Sequence, residues 1–421
     1  MSEDKEAIAN SSQESTQEIL KKILKKIHEN GEGRSVYDLG NPALIAGTFD
    51  YLRLESQIND LLGKTADGRQ NCGALIKLLT MQLLNVPHQM LSDTSLFMES
   101  IPSEVILGNG NGNGNEIKPE QACRADIAKL LDAISIFGTE ELFDSLSRQV
   151  FDRLGIEPQE AQIESSGFYY SDYESEYDSS QLILNQRCGR ENTELNHASD
   201  IVLVDSLSRI PIGIIKSDDS AGEKRSEFDK ASSCLPELRK KFPKLQSVSR
   251  KRLPAKGSWR CCQRPEITVD SMYLEDSSRI EVLLFLMDTA LLVYAATEYL
   301  ARKVMKEKNL SLTGPERRVN TSPTGNFLLS YISFLDTSLV LNRCTGEWSV
   351  VNLNGEFASL LIALGHEWMK YFVETSYACM KREGRSYSKR QNYFLCSVRQ
   401  TGCFDQTFMP VMSSKPLCSF L

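Results

Sequence analysis

An α+β chain, with an all-α N-terminal part followed by an α/β part, is what three observations in the sequence predict. Apolar residues recur at helical spacing from Leu39 to Leu154, short apolar runs around polar turns take over from Gln162 to Ile215, and long helical patterns return after Arg279. With 421 residues and 41% hydrophobic side chains, the chain can bury a sizeable core and would divide into two or three domains.

Residues 14–29 place Ile19, Leu20, Ile23, Leu24 and Ile27 on one helical face with lysines between them, which predicts an amphipathic helix; with its linker it fills residues 1–37. Its lysine face suits solvent, DNA or an acidic partner. Residues 38–157 follow as a compact domain of about five helices, read from ALIAGTFDYL, ALIKLLTMQLLN closed by Pro87, CRADIAKLLDAISIFG and TEELFDSLSRQVFDRLG. The run GNGNGNGN at 108–115 interrupts it as a low-complexity loop, and lacks the strand, helix start and Lys of a phosphate cradle.

Strands are then expected over Gln162–Tyr170 and, as a hairpin-like pair, over Ile201–Val204 and Ile210–Ile215 around Asp205-Ser206-Leu207-Ser208-Arg209. The acidic insert Asp172–Asp178 reads as a loop. A helix is expected from Glu223 to Lys241, a long one from Arg279 to Lys308, and another near Phe327–Leu335. Two short strands around Trp348 and a helix from Phe357 to Val373 complete residues 158–376, and residues 377–421 form an irregular tail.

Charge is distributed unevenly. The chain carries −8 overall, yet residues 1–238 hold 22 Lys and Arg against 40 Asp and Glu, while residues 239–421 hold 26 against 16. Arg239–Arg264 contains ten basic side chains and no acid. Such a stretch suits a polyanion, with Arg250, Lys251, Arg252, Lys256 and Arg260 as DNA-phosphate contacts and Trp259 as a base-stacking platform. A plain basic surface loop is the other reading. The start MSEDKEAIANSSQES lacks the basic end and apolar run of an export signal, and the apolar run Val282–Ala296 is short for a bilayer and broken by Asp288. A cytoplasmic protein without a membrane partner is expected. Eleven cysteines with no C-x-x-C pair fit reduced thiols.

No complete catalytic motif stands out. His28, His88, His197 and His366 are scattered; His366-Glu367 starts like a zinc-protease helix, but Lys370 stands where the second His belongs. Cys261-Cys262 are adjacent, which is poor geometry for one tetrahedral zinc, and no G-x-S-x-G elbow occurs. Tyr273, Tyr294 and Tyr299 read as packing or surface residues.

The order of several segments resembles a known family. LGNPALIAG at 39–47 and the helices to Leu154 look like the N-terminal helical domain of long insertion-sequence transposases of the DDE class, in the insertion-sequence-four superfamily. IESSGF at 163–168 stands in the place of that family's strand with a catalytic Asp, Arg190-Glu191-Asn192 stands where the family has Arg-Asp-His, and IVLVDSLSRIPIGI at 201–214 resembles its second and third strands. The likeness resumes in residues 265–302, its most specific block, and in PTGNFLLSYISF at 323–334. It covers roughly residues 38–375.

The resemblance implies a truncated RNase-H-like α/β domain over 158–376, with three carboxylates holding two Mg²⁺ or Mn²⁺ ions for phosphodiester cleavage and rejoining. It assigns Glu164 the place of the first catalytic and metal-binding Asp, one methylene longer, about 1.5 Å. The second Asp belongs on the strand after the 223–241 helix, where the chain reads LQSVSRKRLP. The third position, a Glu in the family, is Lys256, which repels cations. Residues 247–264 thus look like the seam of an internal deletion, and metal would not be bound productively. The implied partners are transposon-end DNA, a second copy of this chain, or an intact transposase. The expected function is that of a transposase-derived protein of DNA transposition and recombination without cutting activity, or of a non-enzymatic DNA-binding or subunit-interaction protein that inhibits or accompanies intact copies. A new metal site joining Glu164 to Asp200, Asp205 or Asp218 is a further expectation, set against ordinary turn carboxylates.

Overall fold

The computed structural model describes residues 34–63, 71–85, 94–107, 122–170, 181–185, 196–216, 227–249, 266–270, 277–342 and 347–372. The expected helix at 14–29, the loops at 108–115 and 172–178 and the tail after 373 lie outside these residues. The architecture is mixed helix and sheet, α+β.

The first element is a strand that the sequence pattern hides inside the presumed linker: β1, Arg34–Asp38. Among the described residues seven helices follow: α1 Gly40–Tyr51, α2 Leu54–Leu62, α3 Cys72–Leu84, α4 Thr94–Ser100, α5 Ser103–Ile106, α6 Arg124–Phe137 and α7 Thr139–Leu154. The four expected helical segments are present. The additional ones, α2, α4 and α5, are short, which leaves a periodic signal little length to accumulate.

Local chemistry explains how these helices start and pack. Asn71 caps α3 by accepting the Ala74 N–H at 3.0 Å, and its side chain is held in turn by Asn59 at 2.8 Å. Gly73 lets α2 and α3 touch, because a Cβ there would lie 2.3 Å from the Glu55 carbonyl oxygen. Every residue of α3 is buried, so it is the hub of the helical layer rather than a surface helix.

The long helix α10, Ser277–Lys308, runs through the same core. By composition it includes an 18-residue stretch apolar enough to cross a bilayer, yet 89% of that stretch is buried inside the protein. Its partners include α1, α3, α6 and α7 from the N-terminal half. Beyond it come a small hairpin, β8 Leu312–Thr313 with β9 Val319–Asn320, then α11 Gly325–Leu335. Strands β10 Ser338–Asn342 and β11 Glu347–Val351 precede α12 Gly355–Leu364. The helix expected over 357–373 is interrupted at Gly365, whose φ of 112° breaks the backbone path before a helical turn resumes over 366–372.

Residues far apart in sequence close the helical core. Strand β1 pairs antiparallel with β10, and β10 with β11. The Leu39 and Gly40 amides both donate to Thr337 O at 3.1 Å. Asn41 donates to Leu329 O and Ser333 Oγ, Thr297 to Thr48 Oγ1 at 2.9 Å, and Trp368 Nε1 to Leu44 O at 3.1 Å. Gly47 admits the Trp368 ring, since a Cβ there would lie 2.3 Å from Cδ1. The helices of residues 40–154 and those of 277–372 therefore share one hydrophobic core.

The second layer is a six-stranded sheet. Strands β2 Glu160–Tyr170, β4 Asn196–Asp205 and β5 Pro211–Lys216 form an antiparallel run in the order β5-β4-β2. Two strands that the pattern does not reveal, β3 Gln181–Asn185 and β7 Glu266–Asp270, extend it beyond β2. Between β5 and the next strand the expected single helix is two, α8 Glu227–Ser233 and α9 Leu235–Lys241. Pro236 stands in the first turn of α9, where its missing N–H costs nothing, but it could not continue α8. Strand β6, Ser247–Ser249, then runs parallel to β2, with Glu160, Ala161 and Gln162 opposite Ser247, Val248 and Ser249.

Helix α7 belongs to both layers. Its Ser147 hydroxyl lies 2.8 and 2.9 Å from the carbonyls of Pro211 and Ile212 on β5, and its Asp144 pairs with Lys241 of α9.

Candidate functional site

Strand β2 carries the one candidate catalytic residue the structure describes. Because side chains alternate along a strand, Gln162 and Glu164 face one side while the buried Ala161 and Ile163 face the other. Strand β6 brings Ser249 beside Gln162, so the residues on this side include Gln162, Glu164 and Ser249. The Ser249 hydroxyl is enclosed and makes no hydrogen bond among the described residues.

The turn between β4 and β5 supplies the remaining group. Asp205 is buried, and its Oδ2 accepts the Ser208 amide and hydroxyl, each at 2.7 Å. The Ser206 amide donates to Glu160 O at 2.9 Å, which ties the turn to β2. Arg209 adopts a left-handed conformation with φ 66° and donates its own amide to Asp205 O at 2.9 Å. Its guanidinium reaches back across the sheet: Nη1 donates to Gln162 Oε1 at 3.2 Å, and Nη2 bonds Glu164 Oε1. The Arg209 and Glu164 side chains are only 23% and 16% exposed.

This arrangement does not suit a divalent metal pair. Glu164 is already satisfied by a guanidinium, Asp205 is committed to its own turn, and β6 offers a serine. Among the described residues no group of three or more His, Cys, Asp or Glu is assembled for a metal ion. Asp205, one of the three acids named for a new metal site, has its Oδ2 bonded to the Ser208 amide and hydroxyl, as an ordinary turn carboxylate does. For Asp200 the described backbone places it opposite Ser166 and Lys216, and Asp218 lies outside the described residues.

Arg250, Lys251, Arg252, Lys256 and Arg260, with Trp259, also lie outside the described residues. The start of the same basic stretch is described, and each of its cations has an internal partner. Arg239 donates to Leu245 O and Gln246 O, Lys240 pairs with Glu237 at 2.7 Å, Lys241 with Asp144, and Lys244 with Glu157. These contacts fasten α9 and the approach to β6 onto α7 and the segment after it.

A second charged cluster was missed by sequence reasoning. Lys77, 2% exposed in the middle of α3, pairs with Asp50 at 2.7 Å and also donates to Ile106 O at 3.1 Å. Glu55 lies 3.6 Å away, and the Tyr371 hydroxyl, 3.2 Å from Lys77 Nζ, bonds the second oxygen of Asp50. Lys370 pairs with Asp50 at 2.6 Å and with Glu367 at 2.8 Å. Burial alone would raise the Asp50 carboxyl, but Lys77 and Lys370 hold it below the usual value. Burial and the nearby carboxylates push the Tyr371 phenol well above its ordinary value, so it stays a neutral donor. The signal was present in ALIKLLTMQLLN: a lone lysine inside an otherwise apolar helix requires a buried acid. Lys370, the residue that spoils the zinc-protease motif, has its role here.

Tyr294 and Tyr299 take the packing roles expected of them. Tyr294 is 2% exposed in the core and Tyr299 packs against it. Tyr273 lies outside the described residues.

Residues 34–148 match a family model described as a domain of unknown function, DUF4277. No curated protein and no solved structure matches the chain.

Proposed function

We propose that this chain is a transposase-derived protein of DNA transposition that does not cut DNA. The observation that carries the reading is the surroundings of Glu164. In the DDE transposases it resembles, the first carboxylate lies on one strand and the second on the strand after the helix. Here β2 carries Glu164, and β6, which follows α8 and α9, is its hydrogen-bonded parallel neighbour. That layout supports a truncated RNase-H-like domain. The chemistry at the two positions does not support cleavage, since Glu164 faces Arg209 and β6 has no acid from Ser247 to Ser249.

The lineage has separate support. The match over residues 34–148 is to a domain commonly found in transposase-like proteins. DNA of the transposon ends is the proposed polyanion, contacted by Arg250, Lys251, Arg252, Lys256 and Arg260. Phosphate contacts of this kind give affinity without sequence readout. A second reading draws on the helical part's own buried apolar core: a non-enzymatic DNA-binding or subunit-interaction protein that inhibits or accompanies intact transposase copies.

The test uses purified protein, Mn²⁺ and DNA carrying matching element ends. No strand cleavage is expected, while binding weakens steeply as salt rises because counterions are released. Metal-dependent nicking abolished by Glu164→Ala would overturn the loss of cutting. A salt-independent affinity would remove the phosphate contacts.

A further inference from the structure

The Glu164–Arg209 pair is built more firmly than a chance surface contact. Asp205 fixes Ser208 with two bonds of 2.7 Å, the Arg209 amide returns to Asp205 O, and Ser206 is fastened to Glu160. A non-glycine residue with φ 66° is uncommon and persists where its surroundings determine it. The consequence is directional: the turn aims the guanidinium at β2. There its two terminal nitrogens meet Gln162 Oε1 and Glu164 Oε1, two residues apart on one sheet face. The planar guanidinium matches such paired oxygens better than an ammonium would.

We infer that Arg209 is the chain's own counter-ion for Glu164, occupying the place where a divalent cation would have to sit. The inference rests on the transposase-derived reading only for the expectation that a cation once belonged there. A guanidinium bonded to Glu164 both neutralises the carboxylate and repels Mg²⁺ or Mn²⁺. The face has become a structural contact holding the β4–β5 turn against β2, and it is closed to metal.

Thermal unfolding of the full chain, with and without millimolar Mn²⁺, tests this with Arg209→Ala, Arg209→Lys, Glu164→Gln and the Arg209→Ala/Glu164→Gln double variant. Without metal, Arg209→Ala is expected to lower the unfolding midpoint by about 2 °C or more, because it leaves a half-buried carboxylate uncompensated. The loss should shrink when Glu164→Gln is already present, and Arg209→Lys should fall between wild type and Arg209→Ala. Mn²⁺ should raise the midpoint of Arg209→Ala, which has regained an open carboxylate, and leave wild type and the double variant unchanged.

Strictly additive single and double effects would overturn the inference. So would Mn²⁺ stabilisation of wild type that Glu164→Gln removes, or an Arg209→Ala variant indifferent to Mn²⁺. Should Arg209→Ala not fold, folding of the double variant supports the counter-ion role, and failure of both overturns it. Binding to transposon-end DNA is a separate readout: its absence sinks the transposition reading and leaves the counter-ion result standing.

Discussion

The two charged clusters of this protein differ in what surrounds them. Lys77, Asp50, Tyr371 and Lys370 lie where α1, α3 and the 366–372 turn meet inside a continuous apolar core. Glu164 and Arg209 lie on a sheet face, half-buried beside polar Gln162 and Ser249. Lys77 bonds an acid, a carbonyl and a phenol, so the first cluster is enclosed and multiply satisfied. The second joins one guanidinium to one carboxylate and to the amide oxygen of Gln162. Charge deep in a core is retained only when every partner is present, whereas charge on a partly exposed sheet face can be rewired by changing one turn. The first cluster is therefore structural, and the second is where a change of function is most easily accommodated.

The largest expected effect tests the enclosed cluster. Lys77→Ala leaves Asp50 and Tyr371 facing each other without the buried cation, and should cost about 3–5 kcal/mol in denaturant unfolding. Lys77→Met paired with Asp50→Leu should lose much less, because both charges go together. Equal losses would mean that packing, not charge, holds this place.

Next is Trp368→Ala, expected to cost about 3–5 kcal/mol by opening a cavity against Gly47 and removing the indole N–H bond to the Leu44 carbonyl. Hydrogen exchange should then rise in α1, far away in sequence. Protection of α1 unchanged from wild type would separate the 366–372 turn from the N-terminal helices.

Acid sensitivity sharpens the contrast within the helical core. The Asp50 carboxyl is held below its ordinary value, so the stability it contributes is present above the unfolded value and is lost as pH falls through the folded one. Asp38 behaves oppositely. Burial pushes its carboxyl up to about 6, with Asp336 adding to the rise and hydrogen bonds from Gly40 and Asn85 opposing it. Its favourable contribution is complete below about 3.8 and disappears as pH rises through about 6. Asp38→Asn should therefore stabilise the protein at pH 7 by about 1–3 kcal/mol and have no such effect below pH 4. A pH-independent gain would show that the side chain acts by packing alone.

The smallest effect belongs to the exposed end of the basic stretch. Lys244→Ala breaks an ion pair whose side chains are 61% and 65% exposed, and should change stability by about 0–1 kcal/mol. Lys241→Ala should cost more, since Lys241 and Asp144 are 30% and 24% exposed and join α9 to α7. Equal effects would remove the distinction between the C-terminal residue of α9 and the segment that follows it.

Much of the fold was legible. Segments such as 72–84, 124–137 and 139–154 are long enough for apolar spacing or a continuous apolar run to declare a helix, and the hairpin around Asp205–Arg209 declares itself by two apolar runs and a polar turn. Strands β1, β3 and β7 were not legible, because five residues give little periodicity and their partners are distant. Of the candidate site, Glu164 was found through a resemblance and Asp205 as a nearby acid. Arg209 was seen only as a turn residue, since its role depends on a left-handed backbone that aims it at another strand.

By itself the sequence determined which of the described segments are helical and where strands begin to replace helices, because these follow from local spacing and residue type. Only the tertiary structure decided that residues 34–51 close onto residues 294–371, that Lys77 and Lys370 share Asp50, and that Glu164 is neutralised by Arg209. Those facts depend on the distance between atoms remote in the chain, which a burial pattern can demand but cannot assign to particular partners.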